Sequence, residues 1–197
     1  MSKSRLEAFS DGVIAILITI MVLELKLPHD ASFSALCALL PTLLAYLLSF
    51  VFIGIYWNNH HHMLQVTSRI NGKILWANLH LLFWLSLVPF ATAWMGENHL
   101  ARVPTAMYGV VLLASAIAYY VLQSLIIADQ GEGSVLAAAV KRDVKGKASP
   151  VIYAAAIVIA CVQPVISAAL YVAVALMWLV PDRRIESQLA DVASADD

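Results

Sequence analysis

Charge is scarce in this chain. Only 13% of its 197 residues are Asp, Glu, Lys or Arg, while 61% are hydrophobic; a soluble domain carries roughly 25% charge. So little polar side chain cannot cover so much apolar surface, which excludes a soluble globular fold. No charged residue occurs from Ala31 to Ser68, Ile74 to Gly96, Val103 to Ala128 or Ala148 to Pro181. Each gap is long enough for a bilayer crossing, which needs about 20 apolar residues. Cysteine is also rare: Cys37 and Cys161 both fall in apolar stretches, where they are expected to pack as small hydrophobes, and they supply neither a disulfide framework nor a metal site. Catalytic signatures are missing as well. The chain has no Gly-x-Ser-x-Gly, no His-Glu-x-x-His, no phosphate-cradling glycine loop and no paired acids within one apolar span, so the expectation is that it is not an enzyme.

What is present predicts an all-α polytopic membrane protein with six spans: Arg5 to Leu25, Ala35 to His61, Ile74 to Trp94, Pro104 to Ala128, Pro150 to Gln163 and Pro164 to Val180. The last gap, read as one helix, would reach roughly 50 Å, too long for a hydrocarbon core of about 30 Å, and Gln163-Pro164 near its midpoint divides it in two. A cleaved leader is the competing reading of the first span, but Glu7 and Asp11 interrupt the leading region and no small-residue cleavage site follows Leu25.

In this arrangement Lys3, Arg5, Arg69, Lys73, Lys141, Arg142, Lys145, Lys147, Arg183 and Arg184 share one side, and only Lys26 and Arg102 fall on the other. The positive-inside rule therefore places both termini in the cytoplasm. The expected organisation is one six-helix unit over residues 1–184 and an acidic, disordered tail over 185–197. Between the fourth and fifth spans, Asp129 to Lys147 reads as a turn at Gly131 followed by a short interfacial helix from Val135 to Val140. Lys141 to Lys147 is a basic patch at the membrane edge; a net charge of -1 argues against nucleic acid as a partner.

The first span holds an acid one turn inside the membrane. Asp11 there should face protein or water and have a partner, since centring a charge in a bilayer costs about 2.5–3.5 kcal/mol on insertion scales. Arg5-x-x-x-Phe9-Ser10-Asp11, followed by Gly12-Val13, Ala15-Ile16, Thr19 and Leu23-Glu24-Leu25, resembles the first-helix signature of the transmembrane protein 175 family of lysosomal and bacterial potassium channels. Tyr56-Trp57-x-x-His60-His61 resembles that family's Trp and His motif, and Asn78 and Pro89-Phe90 fit it too. The residue-level resemblance covers roughly the first half of the chain; the remaining spans fit by length and hydropathy.

The resemblance implies a potassium channel weakly selective over sodium, in a bacterial plasma membrane. Its unit is one six-helix repeat, assembled as a homotetramer, and the partners implied are potassium ions and the lipid bilayer. It implies no cofactor. Like that family, the chain lacks the Thr-Val-Gly-Tyr-Gly filter, so the pore must be made otherwise. Carried over from the family, Ile16, Ile20 and Leu23 are the constriction, forming a hydrophobic gate, and Thr19 is the polar position beside them. Helical geometry agrees: steps of four and three residues bring Ile16, Ile20 and Leu23 onto one stripe. Asp11 points about 140° away from Ile16 at 100° per residue, toward neighbouring helices, and reads as a brace. Thr19 is expected to bond back to the carbonyl of Ala15 and, as a ring of four hydroxyls, to contribute to potassium preference either by direct coordination or by shaping the helix at the constriction.

Arg5, Phe9, Ser10, Asp11, Trp57, His60 and His61 are the expected structural cluster at the cytoplasmic ends of the first two spans. His62 is read as part of a solvated helix end. Three consecutive histidines diverge by about 100° each on a helix and cannot share one ion, so no metal is expected there. Two readings of other classes compete: a secondary transporter for a small solute, and a haem or metal-binding redox subunit using His80. A transporter favours inverted repeats, and no convincing repeat is present.

Overall fold

The computed structural model describes residues 2–28, 30–141 and 143–179, and all regular structure among them is helical. The elements are α1 (Lys3–Leu23), α2 (Phe33–Ala38), α3 (Leu40–Gln65), α4 (Gly72–Ser86), α5 (Val88–Glu97), α6 (Arg102–Gln130), α7 (Val135–Lys141), α8 (Val144–Ala160) and α9 (Pro164–Leu179). Four apolar segments are long enough to cross a membrane: Lys3–Leu23, Leu40–Gln65, Gly72–Glu97 and Arg102–Gln130. Helices α8 and α9 pack on each other and complete a six-helix fold.

Proline explains where the spans bend. The third crossing was expected as one helix from Ile74 to Trp94, but it is two, α4 and α5, joined at Leu87. Pro89 stands in the first turn of α5; it has no N–H to give the preceding turn, and its ring disfavours helix before it. The second crossing is likewise preceded by a separate α2, with Leu39 between them and Pro41 in the first turn of α3. The fifth span starts earlier than expected. Asp143 accepts from Gly146 N at 2.8 Å and starts α8, so Pro150 lies inside the helix and does not begin it.

The helix ends pair in two sets. At one end Lys3 Nζ donates to the Gln65 carbonyl at 2.8 Å, and Asn71 Nδ2 donates to Asp129 Oδ1 at 2.8 Å. At the other, Lys26 Nζ donates to Glu97 Oε1 at 2.5 Å; the neighbouring carboxylate raises the Lys26 pKa above its ordinary value. The chain reverses beyond Glu97 through His99 and Leu100, both at positive φ, and Leu100 packs back on the core.

Two features hold the bundle together internally. Ser49 Oγ on α3 lies 2.6 Å from Thr92 Oγ1 on α5 and 2.9 Å from the Tyr108 hydroxyl on α6, a buried polar junction of three helices. On α6, Gly109 lets α9 approach closely: a Cβ there would lie 2.1 Å from the Tyr171 hydroxyl, which itself donates to the Thr105 carbonyl at 3.1 Å.

The cysteines differ from expectation. Cys37 and Cys161 are both exposed, because one sits on the thinly packed α2 and the other in the break between α8 and α9. The acidic tail over 185–197, Arg142, Arg183 and Arg184 lie outside the described residues.

Candidate functional site

Helix α1 has two faces. Leu6, Ser10, Ile14, Leu17 and Met21 recur at steps of three and four and are buried against α3, α4 and α5. The opposite face carries Phe9, Ile16, Ile20 and Leu23, which are 51, 57, 40 and 79% exposed, with Thr19 exposed among them. The expected aliphatic stripe is therefore on the outside of the single chain. Thr19 Oγ1 donates to the Ile16 carbonyl at 2.8 Å, three residues back, and not to Ala15 as the usual four-residue pattern led us to expect. That bond ties the one hydroxyl of the stripe to the backbone at Ile16.

Asp11 has the partner its position demanded. Trp57 Nε1 on α3 donates to Asp11 Oδ1 at 2.9 Å, and the His61 ring stacks on the Trp57 ring with centroids 6.0 Å apart and planes 24° from parallel. A carboxylate near the membrane edge is thus satisfied by an indole N–H whose ring is itself packed in place.

A second group lies deeper. Asn78 Nδ2 on α4 donates to Ser10 Oγ at 2.9 Å, and Asn78 Oδ1 lies 2.7 Å from His60 Nε2; all three residues are buried. One amide so links α1, α3 and α4. The expected single cluster is really two, with Asp11, Trp57 and His61 toward the surface and Ser10, Asn78 and His60 in the core. Ser10 and His60 of the expected cluster meet here, and Asn78, noted in the sequence only for its resemblance, is the residue that joins them. An asparagine in a long apolar run was the available signal, since an amide there needs hydrogen-bond partners.

Other expected members stand apart. Arg5 is exposed, and its side chain makes no hydrogen bond or ion pair with any described residue. Phe9 is on the exposed face. His62, expected to be solvated at a helix end, is half-buried and stands edge-on to His61 at 5.6 Å, and α3 continues past it to Gln65. His80 accepts from Trp84 Nε1 at 2.9 Å on its own helix. Among the described residues, no group of three His, Cys, Asp or Glu side chains is placed to hold a metal.

The comparisons with known proteins agree with this fold. Residues 5–89, which contain both polar groups and the exposed stripe, match the family model described as the endosomal/lysosomal potassium channel TMEM175. A potassium channel of Chryseobacterium sp. (strain P1-3) is 53% identical over 191 residues, covering 97% of this chain and all of that one. The human endosomal/lysosomal proton channel TMEM175 is 36% identical over 96 residues, 42% of this chain and 19% of the human protein. The crystal structure of a lysosomal potassium-selective channel TMEM175 homolog from Chamaesiphon minutus superposes with a TM-score of 0.81 at 32% identity, covering 90% of this chain and 96% of that one. The chain belongs to the TMEM175 family.

Proposed function

We propose that this protein is a potassium channel of modest selectivity over sodium, in which α1 of each subunit lines the pore of a homotetramer. One observation carries the reading. The α1 face bearing Ile16, Ile20 and Leu23 is exposed and apolar, while the opposite face is bonded into the subunit through Ser10 and, beside it, Asp11. A helix so fixed from behind can present its free face to an axis. The names of relatives over the same residues supply the ion.

Four copies of Ile16, Ile20 and Leu23 around an axis form stacked aliphatic rings. Such a constriction gates by dewetting, and an ion crossing it must shed or rearrange water. Potassium holds its water less firmly than sodium and crosses more readily, which gives preference without a carbonyl filter. Thr19 contributes by holding the helix backbone at Ile16 through its hydrogen bond. One α1 encloses nothing alone, so oligomerisation is part of the mechanism.

The location proposed is a bacterial plasma membrane with both termini cytoplasmic. Lys3, Arg69, Lys73 and Lys145 gather at the end where Lys3 meets Gln65 and Asn71 meets Asp129, as a cytoplasmic end requires.

Purified protein in liposomes, under bi-ionic potassium and sodium gradients, should carry a current whose reversal potential favours potassium. Solute-coupled uptake without current would overturn the channel in favour of a transporter.

A further inference from the structure

Helix α1 is tied into the subunit unequally along its length. Its first half is held by Asp11 to Trp57 and by Ser10 to Asn78. In its second half the last buried residue is Met21, and Val22, Leu23 and Glu24 beyond it are exposed. Among the described residues, one side-chain bond joins the segment past Met21 to another helix. It is the ion pair of Lys26 Nζ with Glu97 Oε1 on α5, at 2.5 Å, and both side chains are open to water.

The two partners are not equally fixed. Glu97 ends α5, directly after Met95 and Gly96, which are buried. A Cβ at residue 96 would lie 2.9 Å from Thr42 Cα, so glycine there lets the end of α5 press against the start of α3. Leu100 packs back on the core just beyond, and Glu97 therefore stands on a rigid support. Lys26 lies two residues past the end cap of α1 and three past Leu23. The pair thus anchors the loose end of α1 to the packed corner where α3 meets α5. The direction of its pull follows from the faces of α1. The buried face packs on α3, α4 and α5, and the stripe of Ile16, Ile20 and Leu23 points away from them. A bond from Lys26 to α5 draws the end of α1 back toward its own subunit.

We propose that Lys26 and Glu97 are positioning residues of the channel, whose ion pair holds the outer end of α1 back from the pore axis and keeps the Leu23 ring open. This rests on the reading that α1 lines the pore. Without the pair the end of α1 is free to lean toward the axis, and a narrower apolar ring dewets more readily. Exposed ion pairs are weak, so the bias is small, about two- to fivefold in the ratio of open to closed channels.

The test reverses the pair in the full-length protein. Lys26→Glu and Glu97→Lys each bring like charges together and should lower the open probability in single-channel recordings by at least about twofold. The double variant has the net charge of wild type and the pair in reverse, and it should recover the wild-type open probability. Midpoints of thermal unfolding should stay unchanged in all three, since an exposed pair adds little to stability. A second measurement does not depend on current. Spin labels at Leu27→Cys and Val103→Cys, both exposed, report the distance from the end of α1 to the start of α6. The background carries Cys37→Ser and Cys161→Ser, because both native cysteines are exposed, and labelled chains are diluted with unlabelled ones. Each single reversal should lengthen and broaden that distance, and the double variant should restore it. A wild type without potassium current would overturn the pore reading itself, and the label distances would then still decide whether the pair holds α1. In a potassium-selective wild type, an open probability that ignores both reversals, or single-variant losses that the double variant does not recover, would overturn the proposal.

Discussion

Asp11 and Trp57 form the contact on which the orientation of α1 depends most directly. Removing the indole N–H by Trp57→Phe leaves a half-buried carboxylate without its donor, at a cost of about 1–3 kcal/mol. Asp11→Asn keeps an acceptor but gives up the charge, and Arg5→Ala removes an exposed cation that has no partner among the described residues. We expect Asp11→Asn and Arg5→Ala to lower tetramer yield or open probability and to leave the reversal potential near wild type. Size-exclusion chromatography and single-channel recording check both parts; normal tetramers with normal current would reduce the cluster to a topology signal. The stripe should respond in the opposite sense. Ile16→Ala or Leu23→Ala widens a dry ring, so conductance should rise and potassium preference fall, and Ile16→Asn should add leak because a polar ring retains water. Val22, exposed but off the stripe, is the control. Val22→Ala should leave the reversal potential alone, and an effect equal to that of Ile16→Ala would remove the stripe from the pore. Ile14 would be a poor control, since it is 2% exposed and belongs to the core.

At the scale of elements, the approach of α9 to α6 rests on a missing side chain. Gly109→Ala would push a methyl into the Tyr171 hydroxyl and the Ile157 side chain, and overpacking of this kind costs about 1–3 kcal/mol. The midpoint of thermal unfolding in detergent should fall, and Tyr171→Phe in the same background should recover part of the loss. An unchanged midpoint for Gly109→Ala would mean that the two helices separate freely. The elements were also where sequence reading succeeded and failed most visibly. The six spans were legible because uncharged runs have only one stable home in a bilayer, and the two faces of α1 were legible because one helix sets both by its own periodicity. The break at Leu87 was locally announced by Pro89 and was missed because hydropathy runs on unbroken through it. The junction of Ser49, Thr92 and Tyr108 was not legible at all. Each of these residues reads as a minor polar interruption of its own helix, and only the packing of three helices brings them within hydrogen-bond distance.

For the whole molecule, the arrangement divides labour. Helices α1, α3 and α4 carry the polar groups that fix the exposed stripe, while α6, α8 and α9 pack together and, with α3, enclose an aromatic cavity. Helix α8 is short: its 17 residues give about 26 Å of rise, against roughly 30 Å for an average hydrocarbon core. Lipid beside it must thin, or the helix must shift, and α6 next to it is long enough to fit a thicker membrane. One flank of the protein therefore matches a thinner bilayer than the other. Hydrophobic mismatch would then act as a lateral load on the subunit, and lipids with shorter acyl chains should raise the midpoint of thermal unfolding relative to longer ones. A midpoint indifferent to chain length would show that the short helix bears none of that load.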